Sequence, residues 1–423
     1  MYKKITKELT DFIEKSPTSF HAVKNISEEL LKNGFSELFE FEDWNLNKGG
    51  KYFVTRNQSS IIAFKIPENP DCFMIAASHT DSPCFKIKPS PELESEGVVK
   101  LNIEGYGGMI KESWFDRPLS VAGRIVTETE EGIKSELINI DRDLVVIPSL
   151  AIHMGKVENI NIQKDLLPLA GTQEGVFSRL FGDNIGCDLF LYNRMKASFW
   201  GVDNEYFSAP RIDNLQSVFS TMRGFLNADN IGAVSVFTAF DNEEVGSGTK
   251  QGAKSTFLSD VLERICYSTG ITKDGYKRML ASSFMLSADN AHAAHPNYPE
   301  KADPINRPRM NGGIVIKYNA NQKYTTDSVS EALFKKICKN AGVPYQTYVN
   351  RSDVAGGSTL GNLASESVSV NTVDIGIAQL AMHSSYETAG VKDTYYMVKA
   401  AEEFFETSLV AVKDGILLKN KHS

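Results

Sequence analysis

Four short runs of hydrophobic residues along the chain are each followed at once by polar side chains. The runs lie at residues 72–81, 233–244, 283–292 and 375–387. A continuous apolar run bounded by loops is typical of a strand that is buried in a parallel sheet. Apolar residues recur at helical spacing in other stretches, including Asp213–Leu226 and Thr394–Val412. Alternating strands and helices predict an α/β fold with a mixed, largely parallel sheet sandwiched by helices.

The segment from about residue 88 to residue 202 has a different pattern. It contains many short β-like runs that are punctuated by glycine, aspartate and proline. We therefore expect residues 88–202 to form a β-rich domain, inserted into a discontinuous α/β domain of residues 1–87 and 203–423. Exposed strand edges and apolar patches on such a domain can be buried against another subunit, so we expect it to mediate oligomer assembly.

Composition and charge exclude several classes of protein. The chain has 423 residues, 42% of them hydrophobic and 23% charged, which suits a soluble protein of two or three domains. The net charge of −8 argues against nucleic acid or an anionic membrane as the main partner. No run approaches the roughly 18 apolar residues that a membrane span needs, and the N-terminus resembles an amphipathic helix with Ile5, Leu9, Phe12 and Ile13 on one face.

The cysteines favour a reducing compartment. The five cysteines are scattered along the chain, and none forms a CxxC pair. A disulfide framework or a thiolate zinc site is therefore not expected, and we predict a cytoplasmic protein.

Side chains able to bind metal follow the ends of the four predicted strands, with one more at the start of a helix. In chain order they are His79, Asp81, Asp213, Glu243, Glu244, Asp289 and His383. Functional groups gather at the carboxyl ends of strands in open α/β sheets. Each residue alone could be an ordinary polar side chain, but four strand ends with ligand-type residues indicate a common site. Imidazole and carboxylate ligands without a thiolate suit catalytic zinc, with manganese or cobalt as alternatives.

The number of ligands is sufficient for two metal ions. A pair of ions about 3.5–4 Å apart needs a bridging carboxylate and roughly two further ligands for each ion. We expect Asp213, which lies where a loop enters a helix, to be the bridge. His79 and Asp289 would complete one ion, and Glu244 and His383 the other.

Two further carboxylates are assigned catalytic roles. In an extended segment, adjacent side chains point to opposite sides, so Glu244 could bind metal while Glu243 faces the open cleft. We therefore predict that Glu243 is the general base that takes a proton from water. Asp81 lies two residues after His79 and is expected to hydrogen-bond its imidazole and to fix the ring orientation.

The segments that carry these residues resemble the aspartyl aminopeptidase family of co-catalytic two-zinc aminopeptidases. The matching segments are HTDSP (79–83), APRIDN (209–214), DNEEVGS (241–247), SADNAHAAHPNYPEK (287–301), NGGIVIKYNANQKY (311–324) and AMHSSYE (381–387). They follow the order of the family over nearly the whole chain. The resemblance implies a metallo-aminopeptidase that removes N-terminal residues from peptides, with a preference for Asp or Glu. It also implies two zinc ions per subunit and a homo-oligomer of twelve subunits.

The resemblance also implies roles for particular residues. The five expected ligands and Glu243 match the metal ligands and the base of the family. Lys317, Tyr324 and His292 match residues that line the pocket for the first side chain of the substrate. His153, in the inserted segment, matches a histidine that reaches the active site of a neighbouring subunit or binds metal. From the residues alone, Lys317 could instead be a surface lysine with a buried stem, and His153 an ordinary core or surface histidine.

Two other functions remain open at this point. A carboxypeptidase or an N-deacylase could use the same metals on the same scaffold, and assays of free-amine against N-acylated peptides would separate these from an aminopeptidase. A non-catalytic assembly protein could have retained the residues of an ancestral site. Loss of the base or of a ligand would favour this last function, and the chain retains all of them.

Overall fold

A computed structural model of the chain describes residues 1–229, 232–357 and 359–420. The helices are α1 (Tyr2–Lys15), α2 (Ser19–Lys32), α3 (Ile162–Asp165), α4 (Val176–Phe181), α5 (Ile212–Asn227), α6 (Phe257–Ser268), α7 (Lys273–Ala281), α8 (Ser328–Ala341), α9 (Leu360–Ala364) and α10 (Asp393–Phe405). The strands are β1 (Ser36–Leu38), β2 (Lys51–Arg56), β3 (Ser60–Lys65), β4 (Cys72–His79), β5 (Cys84–Ser95), β6 (Val98–Tyr106), β7 (Leu119–Thr129), β8 (Gly132–Asn139), β9 (Leu169–Gly171), β10 (Gly186–Asn193), β11 (Ser198–Trp200), β12 (Tyr206–Ala209), β13 (Ala233–Phe240), β14 (Phe284–Ala288), β15 (Ala291–His292), β16 (Ile314–Tyr318), β17 (Tyr345–Val349), β18 (Asn371–Leu380), β19 (Glu387–Gly390), β20 (Thr407–Val412) and β21 (Gly415–Asn420). Short 3-10 helices lie at Lys111–Trp114, Ile152–Met154, Glu243–Val245 and Pro299–Lys301.

A sheet of 13 strands contains all four of the apolar runs. Its main path is β1-β2-β3-β13-β4-β14-β18-β19-β12-β11; β15 and β16 also pair with β18, and β17 pairs with β16. Strands β13, β4, β14 and β18 are consecutive parallel neighbours, so their carboxyl ends lie at one edge of the sheet. Every residue of β4 and β13 is buried, as the unbroken apolar runs predict. The predicted mixed α/β fold is confirmed.

Helices cover both faces of this sheet, and each face has its own apolar core. Met74 and Ala76 of β4 belong to one core, which includes residues of α1, α2, α5, α8 and α10. Phe73 and Ile75 belong to the other, which includes residues of α6, α7 and α9. Successive side chains of a strand point to opposite faces, so a single apolar run supplies both cores. Burying each large side chain of this kind contributes about 1.5–3 kcal/mol, which makes β4 a rigid base for the residues at its end.

The C-terminal helix is shorter than its apolar spacing predicts. Helix α10 ends at Phe405, and Thr407–Val412 forms strand β20, which pairs antiparallel with β21. The prediction of helical structure as far as Val412 is therefore wrong. This segment is rich in β-branched residues, which favour a strand, and the two-residue turn Lys413–Asp414 brings a partner strand alongside.

A second, antiparallel sheet of six strands lies within residues 84–193, in the order β8-β7-β10-β5-β6-β9. It has a separate core that includes Phe85, Leu101, Leu119 and Leu189. Strand β11 then pairs with β12 and returns the chain to the large sheet. The domain boundaries at residues 88 and 202 stay a prediction. Among the described residues, no helix has both the length and the apolar character to cross a membrane.

Candidate metal centre

Five of the predicted ligands meet where the parallel strands end. His79 Nε2 lies 3.4 Å from Asp289 Oδ1 and 3.7 Å from Asp213 Oδ1. His383 Nε2 lies 3.5 Å from Asp213 Oδ2 and 3.5 Å from Glu244 Oε2. The described residues thus form three groups of three potential ligands, and Asp213 belongs to two of them, one with His79 and Asp289 and one with Glu244 and His383. A shared carboxylate between two sets of ligands is the arrangement that a pair of metal ions requires.

The chain between Asn242 and Val245 is a turn rather than an extended segment. Asn242 has a left-handed backbone with a φ of 62°, and Glu243–Val245 forms a 3-10 helix. The premise that Glu243 and Glu244 point to opposite sides of a strand is therefore wrong, because β13 ends before them and the left-handed residue turns the chain. Both glutamates offer an oxygen atom to a common group with His79. Glu243 does not belong to either group that contains Asp213.

Asp81 holds this turn and the first histidine together. Its carboxylate accepts hydrogen bonds from the backbone N–H groups of Glu243 at 3.2 Å and Glu244 at 3.1 Å, and from the Tyr106 hydroxyl at 2.7 Å. Nδ1 of His79 lies 3.3 Å from Asp81 Oδ1 and 3.1 Å from the Asp81 backbone oxygen. A proton on Nδ1 leaves the lone pair of Nε2 facing the ligand group. The structure therefore places Asp81 beside His79, as the sequence predicts.

Glu387 orders the opposite side of the centre, and sequence reasoning gave it no role. Its buried carboxylate accepts the backbone N–H of Asp213 at 2.9 Å and that of His383 at 2.8 Å. Gln379 Nε2 donates to the same carboxylate at 3.2 Å. Both of these predicted ligands lie on irregular backbone, because α5 is interrupted at Asp213 and His383 has a φ of 67°. Glu387 thus fixes two segments that no regular element holds.

The second sheet also reaches the centre. Strand β6 ends at Tyr106, whose hydroxyl accepts a hydrogen bond from Asn242 Nδ2 at 2.9 Å. Gly107 follows with a φ of 74°, and a Cβ atom there would lie 3.0 Å from Cβ of Glu244. Ile110 N–H donates to the backbone oxygen of His383 at 3.0 Å. Only glycine combines this backbone conformation with this close approach.

The buried carboxylates of the centre are strongly perturbed. Burial raises the pKa of Glu243 to about 8, and the charge of Asp289 adds to this effect. Burial and the neighbouring charge of Asp213 raise the pKa of Glu244 well above its usual range. Burial also opposes the ionised form of Asp289, but the positive charge of Lys317 outweighs it and lowers the pKa of Asp289. The centre therefore contains more carboxylates than nearby positive charges can neutralise.

The residues of the centre fit a divalent cation. Oδ1 of Asp213 and Oε1 of Glu244 are buried and have no hydrogen-bond partner among the described residues. Acceptor atoms of this kind are costly to bury unless something binds them. A zinc ion accepts nitrogen and oxygen ligands of the kind that His79 and His383 present beside these oxygens. Bound zinc would therefore satisfy the unpaired oxygens and relieve the repulsion between the carboxylates.

Lys317 is a buried residue beside this centre. Its side chain is 3% exposed, and Nζ donates to the backbone oxygen of Asn290 at 2.8 Å. Nζ also lies 3.6 Å from Asp289 Oδ2 and 5.5 Å from the ring centroid of Tyr324. These contacts exclude a surface lysine that merely buries its stem.

The other two histidines of the prediction are exposed. His292 lies in β15, and its ring centroid is 6.2 Å from that of Tyr348, which is 6.4 Å from that of Tyr324. His292 is therefore close to the surroundings of Lys317. His153 lies in the 3-10 helix Ile152–Met154 and belongs to none of the ligand groups found among the described residues.

This chain is similar in sequence and in structure to known proteins over most of its length. The family model for aminopeptidase I zinc metalloproteases (M18) matches residues 12–178 and 181–405. The probable M18 family aminopeptidase 2 of Clostridium acetobutylicum is 47% identical over 423 residues, which cover 94% of this chain and 98% of the relative. The crystal structure of prApe1 has a TM-score of 0.90 at 30% identity and covers 96% of this chain and 95% of its own. The S. cerevisiae mApe1 dodecamer has a TM-score of 0.84 at 29% identity, with coverages of 96% and 97%. The similarity extends over both sheets.

Proposed function

This chain belongs to the M18 family of zinc aminopeptidases, which are hydrolases of peptides, and we propose that it removes acidic residues from peptide N-termini with two zinc ions. The observation that carries the two-ion part is the pair of ligand groups that share Asp213. His79 and Asp289 would complete one zinc site, and Glu244 and His383 the other. Zinc at these positions supplies Lewis-acid chemistry, which polarises a carbonyl group and lowers the pKa of water.

Glu243 is the proposed general base. Glu243 offers a carboxylate oxygen close to His79 and Glu244, so it lies beside the proposed zinc ions, where a general base must be to reach the attacking water. Its side chain is outside both groups that contain Asp213, so its carboxylate is left to accept a proton from the attacking water. Protonated Glu243 then gives this proton to the leaving amine. Asp81 positions the base through the backbone N–H of Glu243.

The proposed preference for acidic residues rests on Lys317. An ammonium group has three donors, and the carbonyl oxygen of Asn290 accepts one of them. Asp289 lies within 3.6 Å, but as a zinc ligand it would share its charge with the metal. The remaining positive charge, beside the ring of Tyr324, is suited to the carboxylate of an Asp or Glu side chain.

The ratio of two rates tests this preference. We would measure kcat/KM for aspartyl, glutamyl and leucyl reporter substrates with the zinc-loaded wild type and with Lys317→Met. Lys317→Met also removes a positive charge 3.6 Å from Asp289, which would slow all substrates alike, so the aspartyl-to-leucyl ratio isolates recognition of the side chain. We expect this ratio to fall at least tenfold, the loss of about 1.4 kcal/mol. An unchanged ratio would contradict the role of Lys317, and equal cleavage of N-acetylated substrates would contradict an aminopeptidase.

The inserted segment, residues 88–202, is the proposed assembly domain of a homo-oligomer. Ile152 and Met154 on either side of His153 are 86% and 74% exposed, which is unusual for apolar side chains of this size. Burial against a neighbouring subunit would cover them and would bring His153 to that subunit's metal centre. The similar mApe1 of S. cerevisiae is a dodecamer, and we propose the same number of subunits here. Light scattering tests this, since the double variant Ile152→Asp, Met154→Asp should lower the mass of the assembly.

A further inference from the structure

Tyr348 lies beside Lys317 in the large sheet, and no pattern of the sequence assigns it a role. Strands β16 and β17 are parallel neighbours, and Tyr348 is paired with Lys317 in their register. Val315, two residues before Lys317, belongs to a small apolar cluster against which Tyr348 packs. Because side chains two residues apart in a strand share a face, Lys317 and Tyr348 project from the same face of the sheet.

The ring of Tyr348 is also adjacent to the other two residues of the expected substrate pocket. Its centroid lies 6.2 Å from that of His292 and 6.4 Å from that of Tyr324. The Tyr324 ring in turn lies 5.5 Å from Nζ of Lys317. Tyr348 is only half-buried, so part of the residue stays accessible to a ligand. The four side chains therefore form one group at the place where the first side chain of a substrate is expected.

The hydroxyl of Tyr348 has a proton to donate. Its oxygen accepts a hydrogen bond from Asn350 Nδ2 at 2.9 Å. Within the described ranges of the chain, no acceptor takes the proton of this hydroxyl. Burial raises the pKa of Tyr348 to about 12, so the hydroxyl keeps its proton at neutral pH. An aliphatic substrate side chain could not accept this hydrogen bond, whereas a carboxylate could.

Lys317 by itself recognises an acidic side chain incompletely. Its Nζ already donates to the backbone oxygen of Asn290 at 2.8 Å and lies 3.6 Å from Asp289 Oδ2. An ionised carboxylate has two oxygen atoms, with about four sites for hydrogen bonds in total. One oxygen can therefore accept from Lys317 while the other accepts from Tyr348. The hydroxyl is neutral, so it adds a donor without depending on the balance of charge around Asp289.

We propose that Tyr348 is a specificity-determining residue, which donates its hydroxyl proton to the side-chain carboxylate of an N-terminal Asp or Glu. This inference rests on the proposed acidic preference and extends it from Lys317 to a second donor. A hydrogen bond from a hydroxyl to a carboxylate is shorter and roughly twice as strong as one between neutral groups. Loss of the hydroxyl should therefore slow the cleavage of acidic substrates more than that of aliphatic ones.

The variant Tyr348→Phe removes the hydroxyl and keeps the ring. We would measure kcat/KM of the zinc-loaded protein for aspartyl, glutamyl and leucyl reporter substrates. We expect the aspartyl-to-leucyl ratio to fall at least about tenfold, the effect of losing one hydrogen bond to a charged group, and the leucyl rate corrects for any general disturbance of the pocket. Tyr345→Phe is the matched control, because Tyr345 lies on the same strand but its ring faces Lys335 of α8. The ratio for this control should equal that of the wild type.

Two further measurements keep the test decisive. If Tyr348→Phe does not fold, Asn350→Ala removes the group that orients the hydroxyl and should lower the same ratio severalfold. An unchanged ratio in the folded variant, while Lys317→Met lowers it, would overturn the role of Tyr348 and leave the proposed function in place. A wild type that cleaves leucyl substrates as fast as aspartyl ones would overturn both.

Discussion

Removing the hydroxyl of Tyr106 tests whether the second sheet takes part in organising the metal centre. The Tyr106 hydroxyl donates to Asp81 at 2.7 Å and accepts from Asn242 at 2.9 Å, so Tyr106→Phe deletes two hydrogen bonds with little change in shape. The ring itself stays packed against Phe190, at 5.6 Å between centroids. A hydrogen bond to a charged group contributes about 1.5–3 kcal/mol. If Asp81 needs this bond to hold the turn of Glu243 in place, kcat should fall about 10- to 100-fold.

The measurement separates positioning from a general loss of stability. We would determine kcat, KM, zinc content and Tm for Tyr106→Phe and for the matched variant Tyr192→Phe. Tyr192 lies on β10 of the same sheet, and its hydroxyl donates at 2.8 Å to Asn139, away from the metal centre. Both variants should lose some stability, but only Tyr106→Phe should lose kcat while it retains zinc. A kcat of Tyr106→Phe within twofold of wild type, or an equal fall in Tyr192→Phe, would refute the reasoning.

Three further changes have defined outcomes. Glu243→Gln should retain zinc by elemental analysis but lower kcat at least a hundredfold, because the amide cannot accept a proton; turnover near the wild-type rate would remove its role as base. Gly107→Ala places a methyl group against Glu244 and should lower both activity and zinc affinity, whereas Gly97→Ala, with a similar φ of 71° and open space around it, should only destabilise the fold. Burial raises the pKa of Asp393 from 3.8 to about 7, so its contribution to stability is full below about pH 4 and is lost as the pH rises through 7. Between pH 5 and pH 8, the free energy of unfolding of the wild type, measured in urea, should therefore fall by about 3 kcal/mol more than that of Asp393→Asn. Parallel plots of this free energy against pH for the two proteins would contradict the prediction.

The clustering of the proposed ligands could be predicted because it depends on local pattern together with one general property of sheets. Each apolar run forms a strand of the parallel core, and the polar residues after it lie at the common carboxyl edge. His79 and Asp289 show this directly, because His79 is the last residue of β4 and Asp289 comes directly after β14. No knowledge of the strand order was needed, because every order of these parallel neighbours puts their ends together.

The residues that escaped prediction act through contacts between distant segments. Glu387 and Asp213 are 174 positions apart, and nothing near Glu387 in the sequence indicates that it accepts the N–H of Asp213. Tyr106 lies in a segment that the sequence assigns to assembly, yet it touches Asp81. The turn at Asn242 was missed for a different reason, because a left-handed residue at the end of a strand leaves no mark on hydrophobic periodicity.

Asp81 and Glu387 share a physical role that explains why the centre tolerates so much irregular backbone. Each is a buried carboxylate that accepts two backbone N–H groups, from Glu243 and Glu244 in one case and from Asp213 and His383 in the other. These donors would otherwise be unpaired where β13 and β18 have ended and no regular ladder continues. The side chains of the centre are thus held by two carboxyl groups that are not among the proposed ligands. The carboxylates that this arrangement brings together are the groups whose charge the proposed zinc ions would balance.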